Sequence, residues 1–283
     1  MNESKCFKYL FALLFIILLN TESSYSQNER INLDNCVIPI DFKEVVDGVT
    51  IYKRIGTGSL LVASKEYKDR LFILTAKHVV DSINKYFNGI FYSRFGYDST
   101  IRPYKSVRVE FCLCDPNMKI LYPDSTKDLI ILDFKDASFN LMDSIPNYKL
   151  ESFRLIGIPY SMIKRKNEII YPLQTVILAG LPKTREGKTM KGKYKDYIIF
   201  RLGIISSIIE DEYSGRYGKL YLVNTETTGG DSGSPVFLFP YGIESSDVKL
   251  IGIHTGSYFE GLSIVEPIDE IFDYLNDYLS YYK

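Results

Sequence analysis

The sequence predicts an all-β protein whose two strand-rich blocks suit two antiparallel β-barrels, followed by a C-terminal α-helix. Three observations carry this. Short runs rich in Val, Ile, Leu and Phe recur at turn-separated spacing in two blocks of similar size. The 283 residues include 23 Tyr and 17 Phe, side chains that fit a half-buried pleated surface. The final residues change from alternation to a helical period.

Taken in order, Lys5 and Lys8 precede an apolar run from Tyr9 to Leu19, and Asn20 with a polar segment ending Ser24-Tyr25-Ser26 comes next. This is the pattern of a secretory signal peptide over residues 1–26. The run is far shorter than the ~20 residues that a helix needs to cross a bilayer, so no stable membrane anchor is expected. The mature chain is expected to be secreted or periplasmic. Residues 27–44 are polar, carry Cys36 and Pro39, and read as an extended lead-in or pro-segment.

The first block, residues 45–145, contains GVTIYKRI, GSLLVAS, RLFILTA, SVRVEFCLC and DLIILDF. The proline-bearing KDASFNLMDSIPNYKLES suits a linker. The second block, residues 146–265, contains TVILAGLP, YIIFRLGIISSII, KLYLVNT, PVFLF and KLIGIHTG. In the tail, residues 266–283, Ile268, Ile271, Phe272, Leu275 and Leu279 fall on one helical face, and acidic residues occupy the first turn. This helix is expected to pack on the second block.

With 34 basic and 35 acidic residues, the chain gives no reason to expect a polyanionic partner, and none to expect nucleic acid. The basic stretch KTREGKTMKGKYK, Lys183 to Lys195, reads either as a solvated hairpin loop or as a contact for an acidic substrate. Cys6 belongs to the signal peptide, which leaves Cys36, Cys112 and Cys114 and at least one thiol outside an intramolecular disulfide. In SVRVEFCLCD, alternation puts Val107, Val109, Phe111 and Leu113 on one face and Arg108, Glu110, Cys112 and Cys114 on the other. An oxidising compartment allows a bond from Cys36 to either of the pair. The spacing is not that of a metal site.

Only two histidines are available to any imidazole chemistry. His78, in LFILTAKHVV, comes after a strand-like run on the opening turn of a short helix ending near Ile83 or Phe87. His254, in LIGIHTGS, lies inside a glycine-flanked strand. The segment TTGGDSGSP, Thr227 to Pro235, concentrates glycines around Ser232. Such a backbone can turn sharply, expose the hydroxyl, and let a substrate carbonyl approach the Gly230 and Ser232 amides. Serine nucleophiles need a base, a group that orients the base, and donors for the developing oxyanion. A phosphate loop would instead end in GK[ST] and open a helix, whereas Pro235 and a β-rich run come next here.

GTGSLLVAS, LTAKHV, DLIIL, TTGGDSGSPVF and GIHTGS, in that order, resemble the chymotrypsin-like (trypsin-like) serine peptidases, in particular the bacterial branch that includes the glutamyl endopeptidases. The resemblance spans roughly Val45 to Pro267. It implies a double β-barrel in which His78 is the general base, Asp128 its orienting carboxylate and Ser232 the nucleophile. Gly230 and Ser232 amides would form the oxyanion hole. Asp133 is the competing acid, less favoured because Asp128 matches the family motif. Base and acid then come from the first block and the nucleophile from the second. A protein or peptide would be the substrate, and the chemistry calls for no metal or organic cofactor.

The resemblance also implies a buried cation for Asp231, which is a newly freed N-terminal amine in some relatives and an arginine in others. Val79 stands where animal trypsins carry a cysteine, and no disulfide framework surrounds the site. Thr227 occupies the place of the acid that binds basic side chains. Thr227 and His254 match the threonine and histidine with which glutamyl endopeptidases contact an acidic substrate residue, although His254 also reads as a hydrogen-bonded wall residue. Thr255 and Gly256 would pair with the substrate backbone. The rival readings are a catalytically silent peptide-binding module of the same fold, and an esterase.

Overall fold

The computed structural model describes residues 36–62, 70–96, 106–134, 139–141, 157–183, 198–210, 218–239, 248–259 and 261–281. The expected signal peptide, the basic stretch beyond Lys183 and most of the expected linker lie outside the described residues. The first block comprises β1 (Val37–Val46), β2 (Val49–Val62), β3 (Leu71–Thr75), α1 (Lys77–Tyr86), β4 (Ile90–Gly96), β5 (Ser106–Cys112), β6 (Lys119–Leu121), β7 (Ile130–Asp133), β8 (Phe139–Leu141) and β9 (Ile158–Pro159). The second comprises β10 (Thr175–Gly180), β11 (Ile199–Ile209), β12 (Leu220–Asn224), β13 (Pro235–Leu238), β14 (Lys249–Phe259) and β15 (Leu262–Pro267), and the chain ends in α2 (Ile271–Ser280).

The second block closes into the expected barrel, β10-β11-β12-β15-β14-β13. The first forms a half-barrel in the order β6-β7-β3-β2-β1-β4-β5-β8, with β9 pairing β2 in parallel. Its longest hairpin is fixed by sequence: Asp47 and Gly48 both have positive φ (51° and 77°), as a two-residue turn whose twist matches its strands requires. That turn sets Val46 opposite Val49.

β1 begins at Val37, inside the stretch expected to be a lead-in. Cys36 to Ile40 are buried, and the buried Asp41 is neutralised by Arg54 Nε of β2 at 2.6 Å. Burying this pair strips two charges of water, which only good geometry and further hydrogen bonds offset. Arg54 Nη1 supplies one, donating to the Leu181 carbonyl at 2.7 Å. Cys36 takes no part in a disulfide; the bond joins Cys112 to Cys114, the two cysteines that alternation places on one face. Of the linker, Phe139–Leu141 forms β8 on the edge beyond β5.

One core runs from the first sheet into the second barrel, from Phe72, Phe91 and Phe111 to Phe237 and Leu250; a smaller cluster fills the second barrel around Val176, Tyr221 and Val265. Burying each such large apolar side chain contributes about 1.5–3 kcal/mol relative to exposure. The helix α2 has the expected face, with Ile271, Leu275 and Leu279 buried in the larger core, which includes Phe237 and Leu250 of the second barrel as well as residues of the first sheet. Its Tyr278 ring meets Phe72 of β3, and the Tyr278 hydroxyl donates to Asp133 of β7 at 2.7 Å. Amphipathic spacing specifies which residues are buried, not what they are buried against.

Candidate active site

The antiparallel register of β3 and β7 sets Thr75 opposite Ile130. The chain leaving β3 after Thr75 therefore meets the chain entering β7 before Ile130, which brings His78 to Asp128. Buried Val79, Val80 and Ile83 seat α1 on the core. Ala76 offers α1 no side-chain cap, so the orphan amide of His78 donates instead to Asp128 Oδ1 at 2.8 Å. The other oxygen, Oδ2, lies 2.7 Å from His78 Nδ1. One carboxylate thus caps the helix and fixes the ring it carries. The Asp128 side chain is 7% exposed and that of His78 44%, so the imidazole opens outward from a sheltered acid. Asp133 lies at the far end of β7, held by Arg70 at 2.7 Å, and does not meet His78 in these hydrogen bonds.

Ser232 sits in a loop that the second barrel presents to β2. Thr57 of β2 donates its amide to the Ser232 carbonyl at 2.7 Å and its hydroxyl to the Gly230 carbonyl at 2.8 Å. On the other side, the Gly233 amide donates to the His254 carbonyl at 2.7 Å and the His254 amide to the Ser234 carbonyl at 2.8 Å. Gly230 and Gly233 have φ of +94° and +89°, and a side chain on Gly233 would run into the Thr57 carbonyl. At Gly56 a Cβ would lie 2.7 Å from Val79 of α1 and 2.9 Å from the Ser232 carbonyl oxygen. The residue after His78 and the Ser232 backbone therefore converge on one glycine, which joins the two halves of the site. Among the described residues neither the Gly230 nor the Ser232 amide has an acceptor.

Asp231 is fully buried, and its cation is Arg201 of β11, with Nη1 3.2 Å from the carboxylate. The Thr228 amide donates to Oδ2 at 2.8 Å. Gly180 of β10 makes the room: a Cβ there would meet Asp231 Oδ1, Ser234 Oγ and Arg201 Nη1. The sequence leaves the partner of Asp231 open, and Gly180, which nothing in the sequence marks, is what admits it.

The remaining candidates lie in β14 or, like Thr227, against it. The Thr227 hydroxyl is 3.0 Å from Ser257 Oγ and 3.1 Å from Ser263 Oγ. Ser257 is not among the residues that the sequence singles out. Irregularities in the β14 register, between His254 and Gly256 and again between Ser257 and Phe259, break the alternation that would have ranked it. His254 is buried, and neither ring nitrogen has a hydrogen-bond partner among the described residues. Burial pushes its pKa below the usual histidine value, partly offset by the Asp231 carboxylate. Thr255 is buried and Gly256 partly exposed. β13 accompanies β14 only as far as Ile253, so beyond the Ser232 loop one edge of β14 has no strand beside it among the described residues.

A half-barrel and a closed six-stranded barrel, with a serine loop of one docked on the other, make up the double-β-barrel fold of the chymotrypsin-like serine proteases. Among solved structures the chain is similar to Deg5, at 15% identity and a TM-score of 0.53 over 96% of this chain and 94% of that one. It is also similar to the inactive form of Rv3671c protease, at 16% identity and a TM-score of 0.40 over 87% and 89% of the two chains. The Deg5 likeness shows the fold. No protein-family model matches the chain, and no curated protein does.

Proposed function

We propose that the chain is an exported serine endopeptidase in which Ser232, His78 and Asp128 form the catalytic triad. The observation that carries this is the two-point grip of Asp128 on the His78 amide and Nδ1, beside the docked Ser232 loop. Asp128 holds the tautomer in which Nδ1 carries the proton, leaving Nε2 to accept one. Ser232 Oγ attacks the scissile carbonyl while its proton passes to Nε2, and Asp128 stabilises the imidazolium. The Gly230 and Ser232 amides receive the oxyanion; one such donor is commonly worth about 10²–10³ in rate. The imidazolium returns the proton to the leaving amine, and water, activated by the same ring, then releases the acyl group from Ser232.

The substrate residue before the cleaved bond is acidic in this reading. Thr227 and Ser257 offer hydroxyl donors, and His254 is a buried imidazole in the same strand as Ser257. An incoming carboxylate would replace hydrogen bonds that the hydroxyls now make to each other. Thr255 and Gly256 lie on the β14 edge that an extended peptide would join.

Cleavage of a peptide library, with the cut bonds mapped by mass spectrometry, tests the reading. Cuts after Glu or Asp are expected. Cuts without acidic preference would overturn the specificity, and no cuts by folded protein would overturn the peptidase.

A further inference from the structure

We propose that α2 is a clamp that positions Asp128, with Lys127 and Glu270 as its positioning residues; the inference rests on the proposed triad. Asp128 belongs to a short segment that α2 and its N-cap residue Glu270 hold on both sides. Before it, Lys127 Nζ donates to Glu270 Oε2 at 2.5 Å and reaches the Pro267 carbonyl at 3.5 Å. After it, Asp133 at the end of β7 accepts from the Tyr278 hydroxyl at 2.7 Å, and the Arg70 guanidinium that shares Asp133 lies over the Tyr278 ring. Glu270 and Tyr278 stand about two helical turns apart, so one rigid element braces both ends of the segment.

The helix start is itself anchored. Asp269 accepts from Lys164 Nζ at 2.7 Å and pairs with Lys219 at 3.6 Å, and the Tyr160 hydroxyl donates to the Phe272 carbonyl. Glu270 is thereby held relative to both barrels.

The Lys127 side chain is 6% exposed, although nothing in the proposed chemistry uses its charge. A desolvated ammonium needs a counter-charge. Asp128 is the adjacent residue, and pairing with it would compete with His78 for the carboxylate. Glu270 satisfies Lys127 elsewhere, and the two Asp128 oxygens engage the His78 amide and ring. Misplacing a catalytic group by about 1 Å can cost as much as 10²-fold in rate, so a residue that only holds the neighbour of Asp128 matters to turnover.

The test compares Lys127→Met, Glu270→Gln and Lys127→Arg with wild type, with active sites counted by fluorophosphonate titration. Loss of the clamp is expected to lower kcat per titrated site about tenfold with KM unchanged, while Lys127→Arg, which keeps the charge, retains most of it. The downfield NMR resonance of the His78 Nδ1 proton, observed in a Ser232→Ala background, is expected to shift or broaden with Glu270→Gln and to persist with Lys127→Arg. Unchanged kcat per site and an unmoved resonance in Lys127→Met and Glu270→Gln would overturn the clamp while leaving the peptidase intact. An inactive wild type whose His78 resonance still responds to Glu270→Gln would overturn the peptidase and keep the clamp.

Discussion

Arg201 meets Asp231 directly beneath the Ser232 loop, 3.2 Å apart, the aspartate with no solvent exposure and the arginine side chain with 16%. The loop therefore has its counter-charge within the folded chain. Arg201→Met leaves an uncompensated buried carboxylate and is expected to destabilise by about 3–5 kcal/mol. Adding Asp231→Asn should recover much of that loss. Chemical denaturation of the single and double variants checks this; an Arg201→Met protein as stable as wild type would contradict it.

The room for that pair depends on Gly180. Gly180→Ala drives a methyl into Asp231, Ser234 and Arg201 and is expected to cost about 1–3 kcal/mol or more. At Gly256 an added Cβ would have no atom within 4 Å, so Gly256→Ala should leave the unfolding midpoint in place. Thermal unfolding of the two variants compares them side by side, and equal midpoints would remove the packing argument.

Stability should depend on pH through His254. Burial, the leading cause, holds its folded pKa below the usual 6.5. Below that value the unfolded chain binds a proton that the folded chain does not, so this contribution is complete above pH 6.5 and is lost as pH falls toward the folded pKa. The unfolding free energy of wild type should fall more steeply between about pH 7 and 5 than that of His254→Gln. Parallel curves for the two proteins would show that the imidazole titrates normally.

The hydroxyl cluster predicts a specificity effect. Thr227→Val and Ser257→Ala each remove one donor and should lower kcat/KM for substrates with Glu before the cut by about tenfold. Substrates with Leu or Phe at that place should lose less. Equal losses for acidic and apolar substrates would assign these residues to packing.

Some parts of this arrangement are legible in the sequence and others are hidden. LTAKH and DLIIL are each recognisable as motifs, although the antiparallel pairing of β3 and β7 that joins them is not written in either, and the glycines around Ser232 announce a backbone with positive φ. Those signals are local. The pairs Asp231–Arg201 and Asp133–Tyr278 join residues distant in the chain, and a charged residue such as Asp41 does not disclose in sequence whether it will be buried. For that reason the start of β1 reads as a polar lead-in, and the apolar face of α2 does not reveal that it also reaches the first sheet. Ser257 escapes because a bulge interrupts the alternation by which strand faces are read. Cys112 and Cys114 share a face in the alternation, but face alone does not select a partner.

Everything proposed for the site depends on Ser232 being a nucleophile activated by His78. Labelling of the folded protein with a fluorophosphonate probe, followed by peptide mapping, puts this to the test. A single adduct on Ser232 is expected, absent in Ser232→Ala and strongly slowed in His78→Ala and Asp128→Asn. Folded wild-type protein that takes up no probe, or that labels equally well in Ser232→Ala, would contradict it.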